Sequence, residues 1–244
     1  MSQSKLSILV TGSNQGLGFS AARHLSKLPN VHLFVCGRDA NRVQEAVEKL
    51  KREEECAAEI DTIVMDITDD SSIHAAVADL EKKLGGAALD VLVNNAGLAL
   101  ETDGDIERDG LRTRFENTFS VNAFGTAVAA EAFLPLLKRS TARPRIVNVG
   151  SSAGSCTQMA ETRNAGWMVY KASKSALNSI AISLAVANPD VHVVVVDPGL
   201  NVTRLNTYGV GADPSEGSQI IVDYALEIKG NSPGFYSAQG VVTW

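Results

Sequence analysis

Thr11-Gly12-Ser13-Asn14-Gln15-Gly16-Leu17-Gly18 follows directly on an apolar run at residues 6–10 and leads into helical periodicity at 17–28. A strand that passes through a glycine-rich turn into a helix is the first half of a βαβ unit. The start of that helix points unpaired N–H groups at whatever occupies the turn. Glycines at 12, 16 and 18 permit a tight turn and let backbone approach a ligand with no Cβ between them. Taken alone, such a turn fits a plain strand-to-helix connection equally well. Its place after the first strand favours a pyrophosphate site.

The same alternation continues outward from this loop. Short, nearly continuous apolar runs at residues 6–10, 31–36, 62–65, 89–93, 145–149 and 191–196 predict parallel strands covered on both faces. Helical spacing between them predicts helices over 17–28, 41–51, 72–84, 112–138, 169–187 and 214–227. Val43, Val47 and Leu50 share a face of the second helix, and Asp69, Asp70 or Ser71 caps the third. With right-handed crossovers, this order gives an α/β fold: a doubly wound parallel β-sheet with helices on both faces. No repeat, low-complexity tract or linker breaks the pattern, so residues 1–244 read as a single domain.

Bulk composition narrows the partners. The chain has 22 Lys and Arg against 28 Asp and Glu, a net charge of −6, and no basic stripe. That argues against nucleic acid or an anionic membrane as the main partner. The apolar run beginning at Leu6 ends at Gly12, too early for a signal peptide or a membrane span. Three cysteines (Cys36, Cys56, Cys156) are an odd number without metal-type spacing, and four histidines (His24, His32, His74, His192) are scattered. A reduced, cytoplasmic protein without a metal site is expected.

The loop spacing is T-G-x-x-x-G-x-G rather than G-x-G-x-x-G. Further motifs follow: Asn94-Asn95-Ala96-Gly97 after the fourth strand, Asn122 in the next helix, and Ser151-Ser152 after the fifth strand. Then come Tyr170-Lys171-Ala172-Ser173-Lys174 and Asp197-Pro198-Gly199. In this order the set resembles the short-chain dehydrogenase/reductase family over residues 5–203. Pro233-Gly234-Phe235-Tyr236-Ser237 and the terminal Trp244 resemble its carbonyl-reductase-like subgroup, which includes the sniffer and C-factor proteins. The resemblance implies a Rossmann fold and an NAD(P)-dependent oxidoreductase.

Tyr170 and Lys174 stand four residues apart and share a helix face. Carbonyl reduction needs a proton at the oxygen as hydride reaches the carbon. A tyrosine of reference pKa ~10 exchanges protons poorly near neutrality, and an adjacent ammonium is expected to lower that value. Alone, such a pair fits a solvated helix surface; beside a phosphate loop it reads as proton donor and partner. By resemblance, Ser152 rather than Ser151 polarises the substrate oxygen, although a turn or cap serine reads the same way. Asn122, unfavourable inside a helix, holds by resemblance a water linking Lys174 to solvent; without the family it bends or interrupts its helix. The family commonly has its serine about a dozen residues before the tyrosine. Here 18 separate Ser152 from Tyr170, so residues 153–169, with Met159, Trp167 and Met168, form an enlarged loop beside the substrate.

Cofactor choice turns on the end of the second strand. NAD-preferring relatives place an acidic residue near position 37, where this chain has Gly37 followed by Arg38. A guanidinium can grip a 2′-phosphate in a forked contact, so NADP(H) is the expected cofactor; a solvated Arg38, or one paired with Asp39, is the alternative. By resemblance Gly12, Ser13, Asn14, Gln15, Gly16, Leu17, Gly18, Asp66, Ile67, Asn94, Ala96, Gly97, Pro198, Gly199 and Thr203 line the cofactor, with Tyr170 and Lys174. Asp66 reads equally as a turn cap. The expected reaction is NADPH-dependent reduction of a small-molecule carbonyl compound. An oxidative alcohol or steroid dehydrogenase and a catalytically silent nucleotide-binding signalling protein are the alternatives, the intact Asn122, Ser152, Tyr170 and Lys174 set opposing the last. A lid of fourteen residues at 200–213 predicts an open site. An acidic run at 101–107 lines the cleft or is a solvated loop. The long helices at 112–138 and 169–187 suit a homodimer or homotetramer and resemble core helices equally.

Overall fold

The structure, a computed structural model, describes residues 5–102, 110–164, 166–206 and 209–244. The strands are β1 (Leu6–Val10), β2 (Val31–Gly37), β3 (Glu59–Val64), β4 (Val91–Asn94), β5 (Arg145–Val149), β6 (His192–Asp197), β7 (Gly234–Ser237) and β8 (Gly240–Val241). They form one sheet in the order β3-β2-β1-β4-β5-β6-β7-β8, parallel throughout except for β8. Strand order reverses between β1 and β4, and a doubly wound sheet opens a ligand crevice at that point.

Alternation along each strand explains the continuous apolar runs. Ile8 and Val10 pack on one face with Leu33, Val35, Val91 and Val93. Leu9 packs on the other with Phe34, Leu92 and Ile146. Helices α1 (Gly16–Leu25) and α2 (Ala40–Lys51) cover the first face, and α3 (Asp70–Leu84) the second. Asp39 caps α2 by accepting from the Asn41 and Arg42 amides, and Asp69 caps α3 by accepting from Ser71. Each fully buried Leu, Val or Phe contributes about 1.5–3 kcal/mol.

The helix expected over 112–138 is in fact two, α4 (Gly110–Phe119) and α5 (Thr126–Leu137), joined by a π-helical segment at Ser120–Gly125. The run Gly110–Leu137 is long and apolar enough to cross a membrane, yet half of its most apolar window is buried inside the protein. Besides the short β8, two further elements were not predicted. Within the 153–169 loop lies α6 (Cys156–Thr162), whose cap Ser155 accepts from the Gln158 amide. The Ser-x-x-Gln spacing is a helix-start signal that could have revealed it. Strand β7 comes from the Phe235-Tyr236 segment and extends the sheet beyond β6. Next follow α7 (Met168–Ala187), then α8 (Pro214–Gly217) and α9 (Gln219–Leu226), which divide the helix expected over 214–227.

Candidate active site

The loop after β1 is built as its composition requires. Gly12 and Gly16 take φ of 62° and 58°, a region that costs other residues free energy. A Cβ on Gly18 would stand 2.3 Å from Asn95 Nδ2 and 2.7 Å from the Gly12 carbonyl. Asn95 draws this contact tight: its amide donates to the Thr11 and Gly12 carbonyls, and its backbone N–H to Thr11 Oγ1. It was missing from the expected site, although it stands inside the Asn-Asn-Ala-Gly motif. Gln15 occupies the cap position of α1 without any side-chain bond, and the first turn holds no acidic residue. The start of α1 therefore keeps free N–H groups and its positive dipole end, as a bound phosphate requires.

Three residues expected to line the cofactor have side-chain partners inside the protein. Ser13 is fully buried; its hydroxyl donates to the Val10 carbonyl and accepts from the Cys36 amide. It ties β1 to β2 rather than facing a ligand. Asn94 is also buried and donates from its amide to Asn148, so its side chain braces β4 on β5. The Asp66 carboxylate accepts from the Thr68 amide and hydroxyl, which is the turn reading. Ile67 lies below it with its carbonyl against Gly125. Thr203 arrives from the opposite side, its side chain about 4 Å from the space over Gly16. Pro198 and the exposed Gly199 follow β6, Gly199 with φ 72° and an amide that donates to Asp197.

Arg38 follows β2 and is exposed, with no hydrogen bond or ion pair among the described residues, while Asp39 is committed to its helix. At position 37, a Cβ would stand 2.7 Å from Asn14 Oδ1 and 3.0 Å from Val43. A side chain there would have to displace the Asn14 amide.

Tyr170 and Lys174 project from the first turns of α7. Lys174 is 4% exposed, donates to the Val149 carbonyl at 2.8 Å, and lies with Nζ 5.7 Å from the centre of the Tyr170 ring. Burial lowers its pKa to about 8, with the Asp197 carboxylate working against the fall. Asn122 sits in the π-helical segment, its amide oxygen accepting from the Leu98 N–H and its NH2 donating to the Leu98 carbonyl and Ser173 Oγ. Asn122 thus interrupts its helix and clamps the segment after β4 to α7. Gly97 lines the gap between them: a Cβ there would lie 3.4 Å from Asn122 Oδ1 and 3.7 Å from Lys174 Nζ.

Two expectations are corrected. Ser151, not Ser152, has its hydroxyl beside the Tyr170 phenol, where it favours the ionised form. Ser151 is extended at the end of β5 and accepts from the Ala153 amide, which leaves its own proton to donate. Ser152 already belongs to the next turn, and its amide donates to Asp197 Oδ2 at 2.8 Å. The tyrosine pKa is moved up, not down: burial is the largest cause, Asp197 the second, and Glu101 adds to them against Ser151. Lys174, whose Nζ donates to the Val149 carbonyl, does not offset these effects. Ser151→Ala is therefore expected to lower kcat at least tenfold, and Ser152→Ala by less than threefold, as one lost hydrogen bond to a developing charge is worth about 1.5–3 kcal/mol. Steady-state rates of the two variants measured side by side would expose the reverse order.

Trp167 and Met168 stand at the start of α7, 39% and 52% exposed, with Trp167 edge-on to the Tyr170 ring at 5.9 Å. The lid ends are joined by an Asn201–Ala212 bridge. Of the acidic run, residues 103–107 lie outside the described residues; Glu101 is described and accepts from the Tyr170 amide. Among the described residues one metal-type group occurs, His32 with Glu59 and Asp61. It lies on β2 and β3 at the strand ends remote from this loop, and Lys5 already pairs with Glu59.

A parallel sheet with a glycine loop at its switch point and a Ser/Tyr/Lys group over the carboxyl ends of β5 and β6 defines a nucleotide-binding α/β oxidoreductase. A family model for short chain dehydrogenase matches residues 7–210. A short-chain dehydrogenase/reductase from Aspergillus fumigatus is 34% identical over 229 residues, covering 88% of this chain and 86% of that one. Carbonyl reductase Sniffer of D. melanogaster superposes with a TM-score of 0.83 at 28% identity, covering 98% of this chain and 100% of that one. NADPH-bound carbonyl reductase from chicken fatty liver gives 0.81 at 26%, covering 99% and 100%. The chain belongs to the short-chain dehydrogenase family, whose members bind a nicotinamide cofactor.

Proposed function

We propose that this protein reduces ketones or aldehydes to alcohols with NADPH in the cytoplasm. The observation that carries the reading is the convergence of Ser151, Tyr170 and Lys174 beside the open N-terminus of α1. NADPH would rest on the loop from Gly12 to Gly18 and along Ala96 and Gly97, with Arg38 on the 2′-phosphate and Lys174 on the nicotinamide ribose. When bound, it supplies the hydride. Tyr170 gives its proton to the carbonyl oxygen, and Ser151 donates a hydrogen bond to the same oxygen. The Lys174 ammonium steadies the phenolate left behind. Asn122 keeps the lysine side of the site in register.

The raised tyrosine pKa keeps the phenol protonated at neutral pH, the form on which reduction draws. Arg38 with the crowded Gly37 supports NADPH over NADH, and the carbonyl reductase from chicken fatty liver was crystallised with NADPH. Three unpaired cysteines fit a reducing compartment.

The test is a panel of aldehydes, ketones, quinones and diketones, followed at the nicotinamide absorbance with NADPH and with NADH. Turnover is expected with NADPH. Arg38→Ala should weaken NADPH binding about ten- to a hundredfold, the loss of a charged hydrogen bond, and leave NADH within threefold. Equal losses for both cofactors would assign Arg38 to the fold instead.

A further inference from the structure

We infer that Glu101 is a positioning residue that fixes Tyr170 from outside its own helix and sets a negative charge beside the phenol. This rests on the proposed role of Tyr170 as proton donor. The argument begins at the start of α7. Trp167 occupies the cap position with φ 62° and ψ 40°, and its side chain makes no cap bond. The first amide of the helix to find an internal partner is that of Lys171, which donates to the Trp167 carbonyl at 2.9 Å. Tyr170 therefore lies in the first turn of the helix, where amides lack a helical partner.

Glu101 supplies that partner. It sits in a short 3-10 turn after β4, and its Oε1 accepts from the Tyr170 N–H at 2.8 Å across 69 residues of sequence. A carboxylate at a helix N-terminus gains from the dipole, and its bond to an N–H is charge-assisted. The second oxygen, Oε2, is buried without a hydrogen-bond partner among the described residues.

The contact also completes a frame. Asn122 ties Leu98 to Ser173, and Glu101 ties the same segment to α7 one helical turn earlier. The segment that follows Gly97 is thus bolted to the helix at Tyr170 itself and one turn beyond it. Four groups face the phenol: Lys174 from its own helix, Ser151 from the end of β5, Asp197 from the end of β6, and Glu101. Glu101 and Asp197 both favour the protonated phenol. Removing one carboxylate shifts the ionisation downward.

The test uses the full chain with NADPH, in the Glu101→Gln and Glu101→Ala variants. Hydrogen exchange at the Tyr170 amide should quicken about tenfold in Glu101→Ala, the cost of a lost cap, and stay within about twofold in Glu101→Gln, whose amide oxygen still accepts. Reduction of 4-nitrobenzaldehyde by NADPH should lose about tenfold in kcat for Glu101→Ala with the KM for NADPH unchanged. In Glu101→Gln the alkaline limb of the kcat profile should move about half a pH unit lower, because the phenol ionises more readily without the charge. Wild-type exchange and kcat in Glu101→Ala would overturn the positioning role, and an unmoved alkaline limb in Glu101→Gln the electrostatic one. If Glu101→Ala does not fold, the isosteric Gln variant still decides through its profile. Should wild-type protein reduce no carbonyl compound at all, the reductase reading fails, while amide exchange still decides whether Glu101 holds Tyr170.

Discussion

Tyr170→Phe is expected to lower carbonyl reduction at least a hundredfold while the Kd for NADPH stays within about twofold. Positioned general acids contribute about 10²–10⁴ in rate, and a phenylalanine ring has no proton to give. The ring itself is retained, so its edge contact with Trp167 and its place over Lys174 survive. Fluorescence titration with NADPH separates binding from chemistry, and single-turnover rates report the chemistry. A variant that kept more than a tenth of the wild-type rate would sink the proposed proton path.

Lys174→Met is expected to abolish turnover and yet make the unliganded protein harder to unfold. A lysine whose pKa falls from 10.5 to about 8 on folding carries a penalty of about 3 kcal/mol for being charged where it is buried, at ~1.4 kcal/mol per unit. Methionine of similar length fills the space without that penalty. It leaves the Val149 carbonyl unpaired, which costs about 1 kcal/mol, so the net gain is about 2 kcal/mol. The sign follows from linkage. Below pH 8 the lysine is charged in both states and the penalty is fully present. Between about 8 and 10.5 the unfolded chain binds more protons, so wild-type stability rises with pH and the gap to the variant closes. Urea unfolding at pH 7 and near pH 10 tests both parts. A variant less stable than wild type at pH 7 would show that the ammonium is held more favourably than its burial implies.

Stability here is set against function at one residue. Polar machinery of this kind is expensive to bury unless paired, and Lys174 has one carbonyl and the carboxylate of Asp197 to offset its burial. Asp197 was absent from the expected site, though it stands beside Pro198-Gly199. It joins the β5 and β6 loops through the Ser152 and Gly199 amides and raises the pKa of both Tyr170 and Lys174. Nothing local in its sequence marks that role.

Strand positions, the glycine loop and the pairing of Tyr170 with Lys174 were legible in the chain because each depends on local rules. A buried parallel strand needs a continuous apolar run, a tight strand-to-helix turn needs glycine at positive φ, and a spacing of four shares a helix face. Gly37 and Arg38 were legible for the same reason, and in the structure the Asn14 side chain packs against position 37. Other features were decided only in three dimensions. Ser151 and Ser152 are neighbours of identical chemistry; which one meets the tyrosine depends on where β5 stops, and on an Asp197 amide contact 45 residues away. Ser13 and Asn94 belong to ligand-binding motifs, yet their side chains are consumed in holding strands together. The direction of the tyrosine pKa shift depends on burial and on two carboxylates brought in by β6 and by the turn after β4. Sequence spacing carries short-range geometry; charge and desolvation at a site depend on every element packed around it, and those meet only when the sheet closes its layers.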